Sequence, residues 1–214
     1  MSSLTAHFLR TASETFSPPE TMYFRGEERN EEDQVVEYLK NLRRVFDKIH
    51  FFPVPTVAAI DGAALGGGLE LAIACDFTHS DSALSLQVGL GIIPGAGGTQ
   101  RAPRLIGLTR AKEMIYTCRL LNAQEAHSWG LIDYLAEEGQ TAIDRATSLA
   151  ESMSSSAPLA LSAAKQSISR GFELELAQGL ALETECYETL LPTLDRREAL
   201  KAFAEKRKAE FRGM

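Results

Sequence analysis

The sequence predicts an α/β fold whose last third is helical, and three observations carry that prediction. "TVAAID" (56–61) is a short apolar run bounded by turn formers, the pattern of a buried strand. "FTHSDSALSLQ" (77–87) reads as extended chain. Downstream of "LIDYLA" (131–136) the patterns are helical, with Pro158 placed where a first turn tolerates it and Gly171 where a helix ends. The 214 residues suit one globular domain, or one with an appendage. They divide into an N-terminal segment at 1–30, expected to be poorly ordered, an α/β core at 31–150 and a helical region at 151–214. A strand-poor end after an α/β middle suggests helices that pack on a neighbouring subunit as well as on their own core.

Taken in order, residues 1–30 show little hydrophobic period and contain the Pro18–Pro19 turn. Their Ser and Thr hint at an organelle-targeting segment, but Glu14 and Glu20 break the acid-poor pattern. From Glu31, Val35, Leu39, Leu42, Phe46 and Ile49 are spaced by four and three, one stripe of a helix that Pro53 and Pro55 terminate. Lys40, Arg43, Arg44 and Lys48 lie on the other face, read as solvated surface, with nucleic-acid binding as the minor alternative. After the 56–61 strand, Gly66, Gly67 and Gly68 lead into a helix from about Leu69. "GLGIIPGAGG" (89–98) is a loop, Thr109 is the expected N-cap of "RAKEMIYTC", "NAQE" (122–125) is a capping box, and Gly130 closes that helix. "LIDYLA" is a strand. Helices are expected over 173–191 and from Asp195, with Glu198 three residues on, to Phe211.

Composition narrows the chemistry. The formal net charge of −7 argues against a general nucleic-acid binder. Cys75, Cys118 and Cys186 are far apart, with no CxxC pair or Cys/His cluster, so they read as free thiols of a reducing compartment and no metal site is expected. No apolar run reaches the length of a membrane span, and the C-terminal "RGM" is not a peroxisomal address.

The stretch "DGAALGGGLELAIACD" (61–76) concentrates the chemistry. Glycines between a strand and a helix let the backbone approach a ligand, and a helix start leaves N–H groups without partners. The stretch matches neither GxGxxG, GxxxxGK[ST] nor GxSxG, so a phosphate cradle or a serine-hydrolase elbow fits poorly. A transient oxyanion such as a thioester enolate fits better. Glu70, among Leu69, Leu71, Ala72 and Ile73, is either a poorly solvated general acid/base or a partly exposed first-turn glutamate. A second stretch, "GLGIIPGAGGTQR" (89–101), shows the same glycine density with no carboxylate in view.

"PTVAAIDGAALGGGLELAIACD", "GLGIIPGAGGTQRAPRLIG", "LNAQEAHSWGLID" and "DRREALKAFAEKRKAEF" together resemble the crotonase family of enoyl-CoA hydratases and isomerases, in its methylglutaconyl-CoA hydratase-like branch, from about Gly26 to the end. The resemblance implies an α/β spiral of ββα turns, here N-terminally truncated, with a C-terminal helical oligomerisation region, assembled as a homotrimer or hexamer. It implies addition of water to a 2-enoyl-CoA thioester, or its isomerisation, with CoA as part of the substrate, no separate cofactor and no membrane or nucleic-acid partner. Gly67 falls on an oxyanion-hole N–H, between Gly66 and Gly68 of the substrate loop, and Glu70 on the first catalytic glutamate. The second glutamate position, seven residues before Pro94, holds Gln87, which can hold a water but cannot take its proton. Gly91 falls among the substrate- and CoA-binding positions, and Phe203 and Lys206 fall in the C-terminal region that approaches the CoA of a neighbouring subunit. The "AGAD"-type loop that completes the oxyanion hole has no counterpart ahead of 26–39. The branch places the chain in the mitochondrial matrix, with the cytoplasm as the alternative. A non-catalytic subunit that associates with intact paralogues is the second reading, and RNA binding is the third.

Overall fold

The structure is a computed structural model that describes residues 8–10, 30–137 and 139–214. Apart from 8–10 and residue 30, the segment expected to be poorly ordered lies outside the described residues. The chain divides into two compact units, one holding 8–10, 30–50 and 56–147, the other 51–55 and 148–214.

In the first unit, helix α1 (Asn30–His50) follows the expected stripe. Phe46 is its buried anchor, packed with Ala74 and Ala96, while Val35 at the far end of the stripe is exposed. Next come β2 (Val57–Ile60), β3 (Ala64–Leu65) and α2 (Gly67–Ala72), then β4 (Phe77–Ser80), β5 (Leu84–Ser85), α3 (Gly98–Ile106) and α4 (Leu108–Thr117). With β1 (Phe8–Arg10) and β6 (Tyr134–Leu135), β2 and β4 form a parallel sheet in the order β1-β2-β4-β6, and β3 and β5 form a separate parallel pair. Two successive passages of chain, β2-β3-α2 and β4-β5-α3, each give one strand to each sheet and then a helix, the ββα turn that the resemblance implies.

The same side-chain clasp closes two successive turns. Thr56 donates its N–H and its hydroxyl to Asp76 Oδ2 at 2.7 and 2.8 Å. Thr78 donates both to Asp133 Oδ2 at 2.8 and 3.0 Å. Each clasp ties the start of one strand to the approach of the next, which fixes the parallel register of β2 with β4 and brings 133 alongside β4. Ala58 and Ile60 of β2, Leu69 and Ala72 of α2, and Leu84 and Leu86 around β5 then share one apolar core. Each fully buried leucine there contributes roughly 1.5–3 kcal/mol.

Several boundaries differ from expectation. Helix α2 begins at Gly67 rather than Leu69, because Gly66, at φ +51°, makes the turn itself. Helix α3 arises where no helix was read, and it carries Pro103 internally. Thr109 does not cap α4: Gly107, at φ +79°, is the N-cap and Thr109 lies inside the first turn. The capping box holds, with Asn122 Oδ1 accepting from Glu125 N at 2.8 Å ahead of α5 (Ala123–Trp129), and Gly130 closes α5 in the left-handed region. The 131–136 strand shrinks to β6, since Leu131 folds back to donate to Ala126 O and cap α5. Helix α6 (Ala142–Met153) starts with Ala142 N donating to Asp61 Oδ1 at 3.1 Å and runs from the first unit into the second.

The second unit holds α7 (Pro158–Gly171), α8 (Leu176–Glu188) and α9 (Leu194–Ala204). Lys165 is buried and donates to Val54 O at 3.0 Å. The helix expected from Asp195 to Phe211 is shorter and differently capped. Thr193 Oγ1 takes the N–H of Arg196, α9 stops at Ala204, and the chain returns so that Met214 O accepts the N–H of Leu194. Asp195 is free of capping work because its two oxygens accept the N–H groups of Arg212 and Gly213.

Candidate active site

The glycine stretch forms a tight corner. Gly66 donates its N–H to Ser85 O at 2.9 Å, which docks the corner on β5, and its own carbonyl takes the N–H of Glu70 at 3.0 Å. Gly67 is the first residue of α2, so its N–H has no acceptor within the helix. Among the described residues it has none elsewhere. Gly68 follows with open space where a Cβ would stand. Gly67 and Gly68 are both half-buried.

Glu70 lies one turn further on and is 3% exposed, which decides between the two readings of its burial. Its Oε1 accepts two backbone N–H groups, from Ala96 at 2.8 Å and Gly98 at 2.7 Å. The second glycine-rich stretch thus does face a carboxylate. Oε2 accepts no hydrogen bond among the described residues. The fully buried side-chain atoms without partners there are the two ring nitrogens of His79, so Oε2 keeps contact with solvent. Burial pushes the Glu70 carboxyl above its ordinary range. The N–H groups of Gly98 and Ala96 pull it back, and the charges of Arg101 and then Arg43 do so further. A carboxylate pinned by one oxygen, raised in pKa and open at the other is suited to moving a proton.

The fit around Glu70 is close. A Cβ at Gly98 would meet Glu70 Cγ, Glu70 Oε1 and Leu86 Cδ1, each at 3.0 Å. Leu86 is fully buried, whereas the next residue, Gln87, is exposed. Gly91 sits at φ +75° in an exposed turn, donating to Val88 O at 3.0 Å. Phe203, 85% exposed, and Lys206, at φ +53° just past the end of α9, belong to the second compact unit. No three His, Cys, Asp or Glu side chains among the described residues form a group that could hold a metal ion.

Sequence reasoning missed the two N–H donors and the residues behind them. Arg101 Nη1 donates to Ala96 O at 3.0 Å and Arg43 Nε to Gly95 O at 2.6 Å, so Arg43 is engaged with the loop and is not part of a free basic face. The glycine density of "GAGG" was the one visible signal, and it carried no indication of which side chain the loop faces.

The sequence model described as enoyl-CoA hydratase/isomerase matches residues 9–214, starting ahead of Gly26 where the resemblance of the motifs begins. The chain is 56% identical over 186 residues to the enoyl-CoA isomerase/hydratase fer4 of Mycosarcoma maydis, covering 85% of this chain and 68% of that protein. It is 45% identical over 186 residues to the mitochondrial methylglutaconyl-CoA hydratase of Homo sapiens, covering 84% of this chain and 55% of that protein. Among solved structures, an enoyl-CoA hydratase from Bacillus anthracis superimposes with a TM-score of 0.80 at 42% identity, covering 88% of this chain and 73% of that one.

Proposed function

Since the chain belongs to the enoyl-CoA hydratase/isomerase family, we propose that it hydrates or isomerises a 2-enoyl-CoA thioester at the corner formed by Gly66, Gly67 and Glu70. The observation that carries this reading is the state of Glu70: buried, anchored through Oε1 and open at Oε2. In hydration, Oε2 takes a proton from water as the water oxygen bonds to Cβ. The electron pair of the Cα=Cβ bond moves toward the thioester carbonyl, whose oxygen gains negative charge. The unpartnered N–H of Gly67 is the donor for that oxygen, flanked by Gly66 and Gly68, where no side chain obstructs approach. The enolate collapses as Glu70 returns the proton to Cα, so one carboxyl group balances the step. Gln87 holds the water through its amide and Gly91 contacts the CoA portion of the substrate, while Phe203 and Lys206 approach the CoA bound by a neighbouring copy of the chain.

The helical region at 151–214 joins copies of the chain into a homotrimer or hexamer. Ile168, Phe172 and Leu176 support this, since each leaves more than two thirds of its surface exposed. The mitochondrial name of the human relative supports a mitochondrial location, and the matrix is the compartment proposed here.

The test is hydration of crotonyl-CoA and methylglutaconyl-CoA by the purified full chain beside its Glu70→Gln variant. Loss of turnover in the variant by roughly 10²–10⁴-fold is the expected result. Equal rates for the two proteins would remove Glu70 from the mechanism.

A further inference from the structure

Glu70 is oriented by a loop, and the loop is itself held from both sides. Its N–H donors, Ala96 and Gly98, flank Gly97, whose φ of +114° makes it the N-cap of α3. Arg101, one turn into α3, lays its guanidinium where a Cβ of Gly97 would stand. One arm of that fork donates to Ala96 O at 3.0 Å and the other to Asp47 Oδ1 of α1 at 2.9 Å. From α1, Arg43 donates to Gly95 O at 2.6 Å. Two consecutive carbonyls are thus capped by two arginines. The Gly95 carbonyl that Arg43 caps shares its peptide with the donor N–H of Ala96, and the Ala96 carbonyl that Arg101 caps shares its peptide with the N–H of Gly97, so the two arginines fix the two successive peptide planes that lead from the first donor toward the second. The Arg101 side chain is 18% exposed, so its charge acts with limited screening.

We propose that Arg101, braced by Asp47, is a positioning residue for Glu70, with Arg43 as its partner on the preceding peptide. The clamp aims the Ala96 and Gly98 N–H groups at Oε1 and so sets where Oε2 points. It also places two positive charges near the carboxylate. The charged groups that face Glu70 are Arg101 from α3 and Arg43 from α1, with Asp47 of α1 engaged by Arg101. Both arginines favour the ionised form of Glu70. The inference rests on the reading that Glu70 is the acid/base group.

Three variants, Arg101→Gln, Arg101→Lys and Glu70→Gln, test it in the full chain. The titration of Glu70 is followed by 13C NMR of the glutamate carboxyls, its signal identified by its loss in Glu70→Gln. Hydration of crotonyl-CoA is followed in parallel across pH. Arg101→Gln is expected to move the Glu70 midpoint, and the matching limb of the pH–rate profile, to higher pH. It is expected to lower kcat at least about tenfold with KM within about twofold, the pattern of lost orientation. Arg101→Lys keeps the charge without the fork. It should hold the midpoint near wild type and recover part of kcat. An unchanged Glu70 midpoint and kcat in Arg101→Gln, beside an inactive Glu70→Gln, would overturn the clamp alone. So would a rate loss that follows only a lowered melting temperature, with no movement of the limb. Full activity in Glu70→Gln would remove the reading beneath the clamp and the positioning role with it.

Discussion

Glu70 and Asp195 are both 3% exposed, and each accepts two backbone N–H groups. They differ in how the oxygens are used. Asp195 spends one oxygen on each donor, Arg212 at 2.7 Å and Gly213 at 2.8 Å. Glu70 gathers both donors on Oε1 and leaves Oε2 open. The first arrangement closes the chain end onto α9. The second holds a carboxyl still while keeping one oxygen for a reactant. Burial and hydrogen-bond number alone would not separate a structural carboxylate from one built for chemistry.

That contrast breaks most sharply under paired substitution. Glu70→Gln should cost roughly 10²–10⁴ in turnover and leave far-UV circular dichroism unchanged. A rate loss in Asp195→Asn as large as that in Glu70→Gln would erase the distinction.

His79 extends the comparison to a buried group with no N–H clamp. Its ring is fully buried, both nitrogens lack partners among the described residues, and it stacks on Tyr134 at 4.8 Å between centroids. Burial lowers its pKa from 6.5 to about 4, Arg145 adds to that, and Asp133 opposes it. The unfolded chain therefore binds this proton at a pH where the native chain does not. Stability from the neutral ring is full above pH 6.5 and is lost as pH falls toward 4, by about 3 kcal/mol in all. Urea midpoints measured across that window should slope for the wild type and flatten in His79→Phe.

Gly98→Ala places a methyl group against Glu70 and Leu86, and should destabilise by about 1–3 kcal/mol while also lowering turnover. Asp195→Asn should lose a similar 1–3 kcal/mol with turnover per folded chain nearly intact, read from denaturant unfolding beside initial rates. The smallest effect is Asn122→Ala, where loss of the α5 cap should cost about 1 kcal/mol by thermal unfolding and nothing in rate.

What the sequence disclosed follows the range of each interaction. The α1 stripe, the Asn122 cap, Gly130 and Pro158 act over three or four residues, and all were legible. The Glu70 contacts span 26 and 28 positions and had no local pattern to betray them. Thr109 and Asp195 misled because each is a good capping residue by type. In the folded chain Gly107 turns before Thr109, and the returning C-terminus claims Asp195. Helix α3 was hidden by Pro103 and by glycines that read as loop. Its family resemblance identified the chain's ββα architecture where local patterns showed only separate strands and helices.

Helix α8 buries none of its 13 residues. A helix of that length is marginal by itself in water. In the separated chain its amide hydrogens should exchange with solvent through frequent local opening, while those of β2 and β4 wait for rarer and larger excursions. The slowing of α8 exchange as protein concentration rises would then record, amide by amide, the arrival of whatever covers it.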